Sequence, residues 1–167
     1  MLIRPTTAAD HPRILALNEE FVRFLSPLTP ARLSELDGGA ALSLVVEQDA
    51  KVAAFLIAFR EGAGYDSVNY RWFAQRYPSF LYIDRVVVGQ ALQGQGTGTA
   101  LYRHVFAHAA AAGVRWVTCE IDCDPPNPVS DRFHARLGFR EVGRQPVPGG
   151  KQVSLQVGET ARLEFSR

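Results

Sequence analysis

The chain has 167 residues, about one domain at ~150 residues per domain, and 47% hydrophobic with 21% charged residues excludes a disordered or fibrous polypeptide. Eighteen Lys and Arg against seventeen Asp and Glu leave a formal charge of +1, too weak a field to hold nucleic-acid phosphates or anionic lipid non-specifically. The longest apolar run, 52–59, is far short of the ~18 residues of a membrane span, and Arg4, Pro5 and Asp10 break the opening segment, so the expectation is a soluble, unexported, cytoplasmic protein.

Leu2 and Ile3 begin a strand that stops at Pro5. Thr6 or Thr7 caps a helix in which Ile14, Leu17, Phe21, Val22 and Leu25 recur at helical spacing until Pro27. Thr29 followed by Pro30 predicts a shorter helix through Leu36, broken at Asp37, Gly38 and Gly39. Strands are expected at 42–47 and 52–60, antiparallel across a hairpin turn at Gln48, Asp49, Ala50 and Lys51. From Glu61 to Ser79, glycines, Asn69 and Pro78 are interleaved with Tyr65, Tyr70, Trp72, Phe73 and Tyr77 without a period of either kind. This predicts a long aromatic loop, either a substrate wall or a packing flap, with a short buried helix as the alternative.

The run FLYIDRVVV, 80–88, is the strongest strand signal and is expected to be central. A glycine-rich turn and an Ala-rich helix at 97–112 follow, the helix carrying Leu101, Val105 and Ala109 and stopping at Gly113. Strand 114–121 comes next, and the crossover helix makes its pairing with 80–88 parallel. A helix over about Val129 to Leu137, closed by Gly138, and strands at 139–143 and 152–157 complete a single α/β domain spanning 1–167. Cys119 and Cys123, roughly 13 Å apart along an extended chain, are read as small buried residues rather than a disulfide or metal ligands. His104 and His108 share a helix face without a third ligand, so no metal is expected.

The segment QGQGTG, Gln93 to Gly98, places three glycines at alternate positions between a buried strand and a helix N-terminus, where backbone amides and the helix dipole favour an anion. A tight turn alone accounts for one glycine but not comfortably for three. The segment lacks the Gly-Lys-Ser/Thr ending of a P-loop, and its G-x-G-x-G spacing late in the chain is not a dinucleotide fingerprint. A nucleotide-dependent hydrolase or dehydrogenase is therefore the weakest reading.

The run VVVGQALQGQGTGTAL resembles the acyl-CoA-binding signature of the GNAT superfamily of N-acetyltransferases, with Gln93, Gly96 and Gly98 filling its Gln/Arg-x-x-Gly-x-Gly/Ala pattern. NPVSDRFHARLGF, from Asn127 to Phe139, resembles the family segment in which an Asn precedes a short helix ending in Leu-Gly-Phe, and IRPTTAADHPRI resembles the family's first strand and helix. The resemblance implies a mixed, mostly antiparallel central sheet with a splayed parallel strand pair and flanking helices. It implies that the amides of Val86, Val87 and Val88 meet the pantetheine arm and acetyl carbonyl of acetyl-CoA. The amides of Gly94, Gln95, Gly96, Thr97, Gly98 and Thr99 would meet the pyrophosphate, with Asn127 touching the cofactor. His134 stands where the family often has the Tyr that protonates the departing thiolate, and Gln90 stands where it often has Pro. An imidazole has a pKa suited to that role, and the alternative is a helix-surface histidine.

An amine must be neutral to attack a thioester, so a base or a water chain has to take its proton. Asp84 shares the parity of Val86 and Val88 on its strand, and Glu120 lies near the end of the neighbouring one, where some family members carry an acidic base. A carboxylate among apolar strand residues costs free energy unless paired or used. The alternatives are Glu120, Asp84 in place of a salt bridge to a loop arginine, or no dedicated base. The expected function is acetyl transfer from acetyl-CoA to a primary amine of a small molecule or peptide, with a non-catalytic acyl-CoA sensor as the alternative. An edge strand near the C-terminus provides for a homodimer.

Overall fold

The computed structural model describes residues 1–162. Among these residues seven strands and five α-helices follow in the order β1 (Leu2–Pro5), α1 (His11–Glu20), α2 (Pro30–Gly39), β2 (Leu42–Gln48), β3 (Lys51–Arg60), α3 (Val68–Ala74), β4 (Leu81–Val88), α4 (Thr97–Ala111), β5 (Trp116–Asp124), α5 (Pro128–Arg136), β6 (Arg140–Pro146) and β7 (Gln152–Glu159). The sheet order is β1-β2-β3-β4-β5-β7-β6, mostly antiparallel, and β4 with β5 is the parallel pair. The expected mixed architecture is present. The chain divides into two compact units, Met1–Phe59 with Ile83–His104 and Arg60–Tyr82 with Val105–Arg167, so that β4 and α4 contribute residues to both. No described helix is long and apolar enough to cross a membrane.

In the first unit, the β2–β3 hairpin turns through Asp49 and Ala50, both left-handed at φ 52° and 59°, the geometry that matches the twist of the flanking strands. Ile14 and Leu17 of α1 and Leu33 and Leu36 of α2 are buried with Val45, Phe55 and Leu56 of the hairpin. Helix α1 ends at Glu20, five residues before the expected Leu25. The buried Asn18 is the reason: its side chain donates to the Ser26 carbonyl at 3.1 Å, which draws residues 21–25 into successive turns. Thr29 caps α2 as expected by accepting from the Arg32 N–H, yet the helix continues past Leu36 to Gly39.

In the second unit, the 61–79 stretch contains α3, so the short buried helix given as the alternative is present in place of an irregular loop. Ser67 caps the helix, Tyr70 and Phe73 are buried, and Tyr70 Oη donates to the Arg60 carbonyl while accepting from the Ala63 N–H. With 7 residues, α3 is too short for a helical period to stand out. Strand β5 starts at Trp116 rather than Val114, because the Val114 N–H closes the end of α4 on the Ala109 carbonyl at 2.8 Å. Its antiparallel partner β7 faces it from Trp116↔Glu159 to Asp124↔Gln152. Cys119 is buried and Cys123 half-buried, both as free thiols.

Candidate active site

The glycine turn lies wholly in the first unit. Gly94 and Gly96 have φ of 75° and 78°, so both sit in the left-handed region and a side chain would strain either one. Open space surrounds the position of a Cβ at both. The two glycines therefore do what the turn itself requires, while leaving backbone uncovered. Gln93 fixes the turn to the strand before it, its Nε2 donating to the Val88 carbonyl at 3.1 Å. Gln95 Nε2 donates to the Ala91 carbonyl at 2.6 Å. Thr97 is buried, its hydroxyl donating to the Leu92 carbonyl at 3.2 Å.

Gly89 ends β4 against β3: its N–H donates to the Ala53 carbonyl at 2.9 Å, and a Cβ there would stand 2.7 Å from that oxygen. Helix α4 runs 15 residues from Thr97 with no acidic residue in its first turn. The amides of Thr97, Gly98 and Thr99 have no intrahelical carbonyl, and the positive end of the helix dipole is aimed with them. Val86 and Val88 are half-buried on β4, alternating with buried Val87.

Asp84, in the same unit, is one half of a buried ion pair. Arg85 Nε donates to Asp84 Oδ2 at 2.7 Å, with side-chain exposures of 4% and 6%. The guanidinium also donates to Asn18 Oδ1 at 3.0 Å and to Ser26 Oγ at 3.2 Å. The salt-bridge alternative for Asp84 is present, with the adjacent strand residue Arg85 as a partner.

Glu120, in the second unit, is half-buried on β5 and accepts a 2.7 Å hydrogen bond from Tyr82 Oη. The sequence signal for Tyr82, which the family pattern does not single out, is a phenol inside an apolar strand, since a buried Tyr hydroxyl ordinarily finds a partner. Thr118 Oγ1, on the residue paired with Tyr82, is buried without a hydrogen-bond partner among the described residues.

Asn127 caps α5, its Oδ1 accepting from the Ser130 N–H at 3.2 Å, and its own N–H donates to the Asp122 carbonyl at 3.0 Å. His134 is buried, 5% exposed, with its ring edge-on to Phe133 and Phe139, which corrects the alternative of a helix-surface histidine. Its Nδ1 donates to the Ser130 carbonyl at 2.7 Å, so the neutral ring carries its proton there and Nε2 is an acceptor.

Burial lowers the His134 pKa, against smaller opposing effects of the Ser130 carbonyl and Asp131. The unfolded chain, titrating near ~6.5, then takes up the proton first as pH falls. The stability contributed by the neutral ring is full above that pH and is lost on acidification toward the folded value. Between pH 7 and ~5, melting temperature is expected to fall more steeply for the parent than for His134→Gln; parallel slopes would refute it. The carboxyls of Glu61 and Glu141, lowered chiefly by Arg60 and by Ser154, act further down, below the ordinary carboxylate value of ~4.3.

Among the described residues no group of three His, Cys, Asp or Glu that could hold a metal ion occurs.

A mostly antiparallel sheet with one parallel pair, followed by a glycine turn opening a helix, defines the class of fold. The chain belongs to the acetyltransferase (GNAT) family, whose model matches residues 13–139, and is by that membership an acyl-CoA-dependent acetyltransferase. No curated protein matches the sequence. The fold is that of the ribosomal-protein-S18-alanine N-acetyltransferase from Escherichia coli, with TM-score 0.72, 18% identity, and 99% of this chain and 97% of that one covered. Ard1 from Thermoplasma volcanium gives TM-score 0.76 at 14% identity over 95% and 96% of the two chains. Arabidopsis thaliana NAA60, solved in complex with acetyl-CoA, gives 0.74 at 18% identity over 95% and 97%.

Proposed function

We propose that the chain is a cytoplasmic, single-domain N-acetyltransferase that moves the acetyl group of acetyl-CoA to a primary amine of a small molecule or peptide. The observation that carries this reading is the turn from Gln93 to Thr99. Two left-handed glycines with open space at their Cβ positions stand at the dipole-positive start of a helix, a cradle whose amides fit a diphosphate. The coverage of whole N-acetyltransferase chains supports treating 1–167 as one domain.

Acetyl-CoA supplies an acyl thioester, activated toward amines. In the first unit the amides of Gly94 to Thr99 would hold its diphosphate and those of Val86, Val87 and Val88 its pantetheine arm and carbonyl oxygen; in the second unit Asn127 would be a cofactor contact beside its capping role. Glu120 takes the proton of the incoming ammonium. Asp84 is the less suited carboxylate, because ionised Asp84 balances the buried Arg85 and loses that balance on protonation. His134 gives a proton to the thiolate only as the imidazolium, which its burial disfavours. That observation favours the second reading, an acyl-CoA sensor without turnover.

Calorimetric titration with acetyl-CoA, CoA, ATP and NAD tests cofactor choice, followed by thiol release over a panel of amines. The name of the Escherichia coli neighbour supports including peptides with a free alanine N-terminus. Selective acetyl-CoA binding with thiol release upholds the enzyme, binding without release upholds the sensor, and binding of ATP or NAD alone overturns both.

A further inference from the structure

We propose that Tyr82 is the positioning residue of the acceptor-side base, its hydroxyl holding the Glu120 carboxylate ionised and aimed; this rests on the reading of Glu120 as that base. The bond spans 38 residues of sequence at 2.7 Å. Tyr82 is fully buried, and its ring is clamped by Tyr70, Phe73 and Tyr65 at centroid distances of 5.7, 6.0 and 6.5 Å. A ring so enclosed directs its hydroxyl along one line. The pairing Tyr82↔Thr118 sets that line from a level two residues before Glu120 on the same face of β5. Phenylalanine fills such a core equally well, and a hydroxyl there costs free energy unless bonded, so the carboxylate accounts for the tyrosine.

An O–H that donates to a carboxylate favours its charged form. A carboxylate accepts at several lone pairs, so the bond to Oε2 leaves capacity for an incoming ammonium. The other polar groups on this face include Thr118 and Asp122 of β5, Tyr65 ahead of α3, Asn69 and Tyr70 of α3, Arg140 and Gln145 of β6, and Lys151 just before β7; Arg140 pairs with Val157, and its guanidinium lies 5.8 Å over the Trp116 ring. Lys151 Nζ is bound to Asp122 at 3.0 Å, Gln145 donates to Asn69, and the Tyr70 hydroxyl donates to the Arg60 carbonyl. From β7 the face receives Val153, Leu155 and Val157, which carry no charge. Removing the Tyr82 hydroxyl thus probes the coupling without altering the net charge.

The test is carbon NMR of protein labelled at the glutamate carboxyls, with the Glu120 resonance assigned by its loss in Glu120→Gln. In Tyr82→Phe the Glu120 midpoint is expected to rise by about one pH unit, and the acidic limb of kcat/KM to move with it, at unchanged acetyl-CoA affinity. Incorporating 3-fluorotyrosine at position 82 keeps the ring and strengthens the donor, so the midpoint is expected to fall. Tyr70→Phe loses a hydroxyl from the same ring cluster and should leave the midpoint in place. An unmoved midpoint with both replacements at 82 overturns the proposal. Full turnover in Glu120→Gln overturns the reading of Glu120 as base instead, whatever the midpoint does.

Discussion

Gly96→Glu is expected to abolish acetyl-CoA binding in a protein that still folds. Two effects combine at this position. Its φ of 78° imposes on any side chain a strain of roughly 1–2 kcal/mol, which the open surroundings do not aggravate. A carboxylate ~4 Å from a bound diphosphate adds ~4 kcal/mol of repulsion per charge at an effective dielectric of ~20, about three orders of magnitude in affinity. Gly96→Ala separates the two, carrying the strain without the charge, and should lose far less affinity. Calorimetric titration of both variants, with circular dichroism to verify folding, checks the assignment. Retained affinity in folded Gly96→Glu would place the diphosphate elsewhere.

Asp84→Asn and Glu120→Gln are expected to fail in different ways. Asp84 and Arg85 are both buried, and removing one partner of a buried ion pair costs about 3–5 kcal/mol. Asp84→Asn should therefore melt much lower than the parent, and Arg85→Met with Asp84→Leu together should recover part of the loss. Glu120 is half-buried and its bond from Tyr82 can be kept by the glutamine amide oxygen, so Glu120→Gln should keep most of the melting temperature. Its turnover should fall by about 10²-fold or more, with acetyl-CoA affinity unchanged. The opposite pattern, a catalytic loss in a stable Asp84→Asn and none in Glu120→Gln, would exchange the two roles.

The β2–β3 hairpin, the Thr29 cap, the helix after the glycine turn and the parallel pairing of β4 with β5 all follow from signals within short stretches of sequence. The departures have local causes too weak to register in a pattern. Helix α1 stops because a buried Asn18 reaches Ser26, and α3 is two turns of aromatic residues whose burial exceeds any period they display. Among the candidate site residues, the turn from Gln93 to Thr99 was legible because glycines with positive φ beside a helix start have few other reasons to recur.

By itself the sequence determined the class of fold, the family pattern and the backbone that can cradle an anion. Each depends on residues close together in the chain, where spacing, capping and glycine conformation act without reference to the rest of the molecule. Only the tertiary structure decided what the ionisable residues do. It gave Asp84 the buried Arg85, which also donates to Asn18 across 67 residues, joined Glu120 to Tyr82 across 38, and enclosed His134 between two phenylalanine rings with its Nδ1 proton committed to Ser130. The physical reason is that the state of an acid or base depends on its desolvation and partners, and those are chosen by packing between distant segments.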